Sequence, residues 1–258
     1  MRTLLLTAVL STLAPCLHAA VQTKVIEYKQ SDQVLEGYLA WDDAVTGSRP
    51  GVLVVHEWTG LGDYAKMRAK MLAEMGYIAF AAHIYGKGIR PATPQEAGAQ
   101  AGMYKNNPKL MRDRVRAGLD ALRREPLCDP KRVAAIGYCF GGTCVLELAR
   151  SGADVAGVVS FHGGLATATP ADAKHIRGKV LVLHGGDDPH VPPKEVDAFE
   201  DEMRAAGVGW QVVVYGGAVH AFTNPSAGSD KSRGAAYNAA ADRRSWETMK
   251  AFFAEIFK

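Results

Sequence analysis

The chain reads as one α/β domain, a mostly parallel central sheet with helices on both faces. Two patterns predict this. Gly51–His56 is apolar along its length, as strands covered on both faces are. Segments of helical period alternate with such runs along the chain, the rhythm of parallel strands joined by crossover helices. Length and charge set the limits. A chain of 258 residues suffices for one large α/β domain, and a net charge of +3 with signs interspersed gives no support to nucleic-acid binding.

Residues 1–20 read as an address. Arg2 precedes an apolar run from Leu4 to Leu13, followed by Pro15 and the small pair Ala19-Ala20, the three-part plan of a secretory signal peptide. About ten apolar residues are too few to span a bilayer, which needs about 20. A lipoprotein reading around Cys16 is disfavoured because Pro15 stands where a small residue is wanted. Cleavage is expected after Ala19 or Ala20, leaving 21–258 as an exported domain, periplasmic or secreted, with no membrane attachment and a monomer favoured. Cys128, Cys139 and Cys144 then remain, an odd number, so at least one thiol has no partner within the chain.

The elements follow in order. Lys24–Tyr28 and Val34–Ala40 alternate as an antiparallel opening pair, and Gly51–His56 is the first covered strand. Asp63–Met75 has helical spacing and stops at Gly76; strand-like Tyr77–Ala82 and a Gly/Pro-rich loop, Gly86–Pro94, come next. Helical pattern fills Pro94–Arg124, broken at Asn107-Pro108. Strand Val133–Tyr138, helix Gly141–Arg150, and strands Val155–Phe161 and Val180–His184 lead to helix Glu195–Ala206, strand Gln211–Tyr215 and a closing helix, Ala235–Phe257.

The chemistry concentrates in Gly137-Tyr138-Cys139-Phe140-Gly141-Gly142, set between a strand and a helix. This is the context of a nucleophile elbow, a sharp turn that lifts a reactive side chain out of the sheet, with flanking glycines that let strand and helix backbones pass closely. A cysteine there sits at a helix N-terminus, where the dipole and free N–H groups favour a thiolate. The Phe140 N–H is placed to meet a developing oxyanion. Cys144, inside the helix, reads as a small core residue, and Cys128 as an unremarkable loop residue.

A nucleophile of this kind needs an acid and a histidine, in that chain order. Gly185-Gly186-Asp187-Asp188-Pro189-His190 and Gly217-Ala218-Val219-His220 both follow predicted strands, where α/β sheets keep their ligands. His220 is the candidate base, and Asp188 or its neighbour Asp187 the acid. His56, His83, His162, His184 and His190 read as hydrogen-bonded structural residues. His56-Glu57 does not continue into H-E-x-x-H, so no metal or other cofactor is expected.

With GYCFGG at 137–142, GGDDPHVP at 185–192, GAVHAF at 217–222 and HEWTG at 56–60, nearly the whole mature chain resembles the dienelactone hydrolase family of α/β-hydrolases. The resemblance implies hydrolysis of a small-molecule carboxylic ester or lactone by a Cys139–His220–Asp188 triad through a cysteine acyl-enzyme. The acid three residues before the Val-Pro pair selects Asp188 over Asp187. It implies that Glu57 holds the resting thiol until substrate displaces it, and that the Trp58 N–H joins that of Phe140 in an oxyanion hole. The family's two substrate-gripping arginines correspond to Lys87 and Asn224, a departure that weakens a carboxylate grip. That departure also supports an alternative, an exported binding protein that retains the fold without turnover.

Overall fold

The computed structural model describes residues 20–258; the expected leader, 1–20, lies almost wholly outside them. Eight strands form one sheet in the order β1-β2-β4-β3-β5-β6-β7-β8. β1 (Val21–Gln30) and β2 (Gln33–Asp42) form an antiparallel hairpin, and β2 pairs antiparallel with β4 (Ile78–Ala82). From β4 onward every pairing is parallel, through β3 (Arg49–Val55), β5 (Cys128–Tyr138), β6 (Gly157–Phe161), β7 (Lys179–Gly185) and β8 (Trp210–Tyr215).

Alternation along the strands divides the core in two. Val52, Val54, Ala134, Ile136, Leu181 and Leu183 face one side, where α1 (Asp63–Glu74) and α6 (Ala239–Ile256) cover them. The intervening Leu53, Val55, Val133, Ala135, Val180 and Val182 face the other. There α2 (Pro94–Lys105), α3 (Pro108–Arg123), α4 (Phe140–Arg150) and α5 (Pro193–Ala206) pack. Each fully buried aliphatic side chain contributes roughly 1.5–3 kcal/mol, so a sheet apolar on both faces is held from both.

The break at Asn107-Pro108 is real. The Asn107 side chain caps α3 by accepting the Leu110 N–H at 3.1 Å, with proline at the first helical position. Two boundaries shift most. β5 begins at Cys128 rather than Val133, because Arg49 and Pro50 of β3 pair with Cys128 and Asp129 before a register shift at Pro50/Gly51. The closing helix begins at Ala239, since Ala235 forms a bridge with His220 and Asn238 caps the helix by accepting the Ala241 N–H.

Candidate active site

Strand β5 delivers Cys139 to the turn before α4 in a conformation that L-residues avoid, φ 54° and ψ −116°. Two close approaches hold it there. A Cβ on Gly137 would lie 2.0 Å from the Gly141 carbonyl oxygen, and one on Gly141 would lie 2.2 Å from the Val55 carbonyl oxygen. Only glycine lets the strand, the helix start and the end of β3 pass at this distance. The Cys139 N–H is shared between the Phe161 carbonyl (3.0 Å) and Nδ1 of His162 (3.2 Å), which fixes the turn from the next strand.

The thiol is half-buried, and Nε2 of His220 lies 3.0 Å from its sulfur. The other ring nitrogen, Nδ1, lies 2.8 Å from Oδ2 of Asp188. Asp188 is buried and its second oxygen accepts the His190 N–H at 2.8 Å, whereas Asp187 is exposed. Burial opposes a charge on His220. Hydrogen bonds to Asp188 and the Cys139 sulfur outweigh it and push its pKa up to about 10. The three side chains therefore form one continuous hydrogen-bonded line, with the imidazole disposed to stay protonated beside the sulfur.

Cys144 is fully buried with its thiol pKa raised by that burial, and burial pushes Cys128 up to about 11. Both are inert by environment, and Cys128 stands at the start of a strand rather than in a loop.

The Phe140 N–H, at the first turn of α4, and the Trp58 N–H have no hydrogen-bond acceptor among the described residues. Both are thus free for a ligand oxygen. Glu57 is placed differently from expectation. Its carboxylate accepts the Asn224 amide at 2.6 Å, while the thiol is engaged by His220. Burial raises the Glu57 pKa against the pull of Asn224 and of positive His220 and Arg68.

Both expected substrate-binding side chains have partners within the chain. Asn224 donates through Nδ2 to Glu57 and accepts the Ser226 N–H at 2.9 Å through Oδ1, which holds it against Glu57. Lys87 is exposed and ion-paired with Glu27 of β1. That edge strand lies four strand spacings from β5, roughly 19 Å across the sheet.

Sequence reasoning gave His162 only a generic structural role. The structure seats it under the elbow, its ring 5.3 Å from that of His220 and its Nε2 2.7 Å from the Thr223 hydroxyl. Burial, with the nearby charges of His220 and Arg68, holds its pKa well below the usual imidazole range, so Nδ1 stays an acceptor. His190 flanks His220 on another side, with rings 5.1 Å apart. A histidine at a strand end carries no local signal that separates these positions from the others.

Comparison with known proteins gives the family and the fold. A model of the dienelactone hydrolase family matches residues 35–257. A solved dienelactone hydrolase-like promiscuous phosphotriesterase from metagenomic libraries is 41% identical, with a TM-score of 0.88 over 93% of this chain and 100% of that one. A Synechocystis protein provisionally named a carboxymethylenebutenolidase is 27% identical over 247 residues, covering 90% of this chain and 96% of its own. Pyrococcus horikoshii acylaminoacyl peptidase shares the fold at 14% identity and a TM-score of 0.70, over 94% of this chain and 43% of the peptidase.

Proposed function

Because the chain belongs to the dienelactone hydrolase family and is a hydrolase of carboxylic esters or lactones, we propose that it works through a thioester on Cys139. The Cys139 thiolate, paired with protonated His220, attacks the substrate carbonyl carbon. The developing oxyanion is met by the Phe140 and Trp58 N–H groups. His220 gives its proton to the departing alcohol or enol oxygen as the C–O bond breaks. Neutral His220 then takes a proton from water, whose oxygen attacks the thioester. Collapse of that second intermediate returns the acid and the thiolate, with Asp188 keeping the ring in one tautomer throughout. Glu57 is hydrogen-bonded to Asn224, while the sulfur is engaged by His220.

The observation that carries this reading is the unbroken contact from Asp188 through His220 to Cys139, at 2.8 and 3.0 Å, on a strained turn. The family match and the hydrolase-named relatives do not favour the non-catalytic alternative. Hydrolysis of p-nitrophenyl acyl esters and lactones by Cys139→Ala, His220→Ala and Asp188→Asn tests it. Losses of about 10³-fold or more in kcat are expected. Near wild-type turnover by any of the three overturns the assignment.

The Arg2–Ala20 pattern further supports export, with the mature protein periplasmic or secreted. Expressed with its own leader in a bacterial host, protein recovered from the periplasm should begin at Ala20 or Val21. A full-length N-terminus retained in the cytoplasm overturns this.

A further inference from the structure

The peptide unit between Glu57 and Trp58 is pinned by a side chain that no catalytic step uses. His56 is fully buried and directly precedes that unit. Its Nε2 accepts the Ile84 N–H at 3.0 Å, so that nitrogen carries no proton and the neutral ring carries its hydrogen on Nδ1. Nδ1 lies 2.6 Å from the Glu57 carbonyl oxygen and therefore donates to it. The Gly60 N–H donates to the same oxygen at 3.2 Å. The carbonyl and N–H of a trans peptide point in opposite directions, and no described peptide is cis. Holding the Glu57 oxygen thus aims the Trp58 N–H the other way. The next peptide is held as well, by the Tyr85 hydroxyl donating to the Trp58 carbonyl at 2.7 Å. The His56 ring also stacks on Phe140, with centroids 6.0 Å apart, and so touches the residue that bears the second free N–H.

We propose that His56 is a positioning residue that aims the Trp58 N–H at the developing oxyanion, acting through the Glu57 carbonyl. Resting on the thioester reading above, this makes a strand-end imidazole part of the catalytic machinery without contact with substrate. Burial keeps the ring in the required neutral form, its pKa lowered to about 4.

Two substitutions of similar polarity separate the roles of the two nitrogens. His56→Asn places an amide N–H near the position of Nδ1 and retains the donor to Glu57. His56→Gln reaches the position of Nε2 and retains the contact with Ile84 while losing that donor. Two rates are read for each: p-nitrophenyl acetate hydrolysis, which needs the oxyanion donors, and alkylation of Cys139 by iodoacetamide, which needs only the thiolate.

The expected result for His56→Gln is a fall of about 10- to 100-fold in kcat, KM within about threefold, and alkylation unchanged. His56→Asn should stay within about fivefold of wild type. Equal losses in both variants, wild-type turnover in His56→Gln, or alkylation falling in parallel with hydrolysis overturns the inference. Ester turnover that survives Cys139→Ala would instead overturn the thioester reading, and so the two failures are told apart.

Discussion

Three imidazoles surround the elbow, and each is set by what it hydrogen-bonds. His220 faces a carboxylate and a sulfur and is disposed to hold a proton; His162 and His56 each accept a backbone N–H and stay neutral. The neutral pair has a consequence for acid stability. His56 titrates near 4 in the folded protein, against about 6.5 when unfolded. Between those values the unfolded chain binds a proton that the folded chain refuses. Its contribution is therefore complete above pH 6.5 and lost as pH falls towards 4, about 3 kcal/mol in all. Asparagine does not titrate, so the stability advantage of wild type over His56→Asn should shrink by about that amount between pH 7 and 4. Urea unfolding at a series of pH values measures it, and a constant gap would remove His56 from the acid response.

The β5–turn–α4 unit is the part of the site most legible in the sequence, because its demands are local. Gly137 and Gly141 are needed wherever a strand and a helix meet this closely, and the required residues lie within five positions. His220 and the Asp187-Asp188 pair were legible for a related reason: each follows a recognisable strand, and parallel strands put their ends together; the choice of Asp188 over Asp187 came from the family resemblance. What was not legible depends on distant pairings. Asn224 finds Glu57 across 167 positions and Lys87 finds Glu27 across 60, and neither choice has a periodic or spacing signature. Element boundaries failed for the same reason. Ala235–Asn238 continues an apolar helical pattern, yet the His220 backbone claims that segment first, donating to the Gly234 carbonyl and accepting the Ala236 N–H. The start of β5, with Asp129, Lys131 and Arg132, looks like a surface turn until the edge of β3 supplies its partner.

The loop that carries His220 runs from β8 to α6, and a single buried cation joins it to both helices on that face. Arg68 of α1 is 3% exposed; it donates to the Thr223 carbonyl at 2.8 Å and is ion-paired with Asp242 of α6. Its Nε donates to the Tyr64 hydroxyl at 3.2 Å, and that hydroxyl donates at 2.6 Å to Thr223, whose oxygen also meets Nε2 of His162. Helix α1, helix α6, the His220 loop and the imidazole beneath the elbow thus share one polar network. Removing one partner of a buried ion pair leaves the other desolvated without compensation, which costs about 3–5 kcal/mol, whereas removing both costs less. Arg68→Met should destabilise by about 3 kcal/mol. It should also lower ester turnover, because the Thr223 carbonyl loses its donor two residues after the strained backbone of Ala221 (φ 56°). The double variant Arg68→Met/Asp242→Leu should recover much of the stability but not the turnover, since it restores no donor to Thr223. Denaturant midpoints and p-nitrophenyl ester kinetics on the three proteins decide it. Turnover that returns along with stability would reduce Arg68 to a packing role and detach the catalytic loop from the helices behind it.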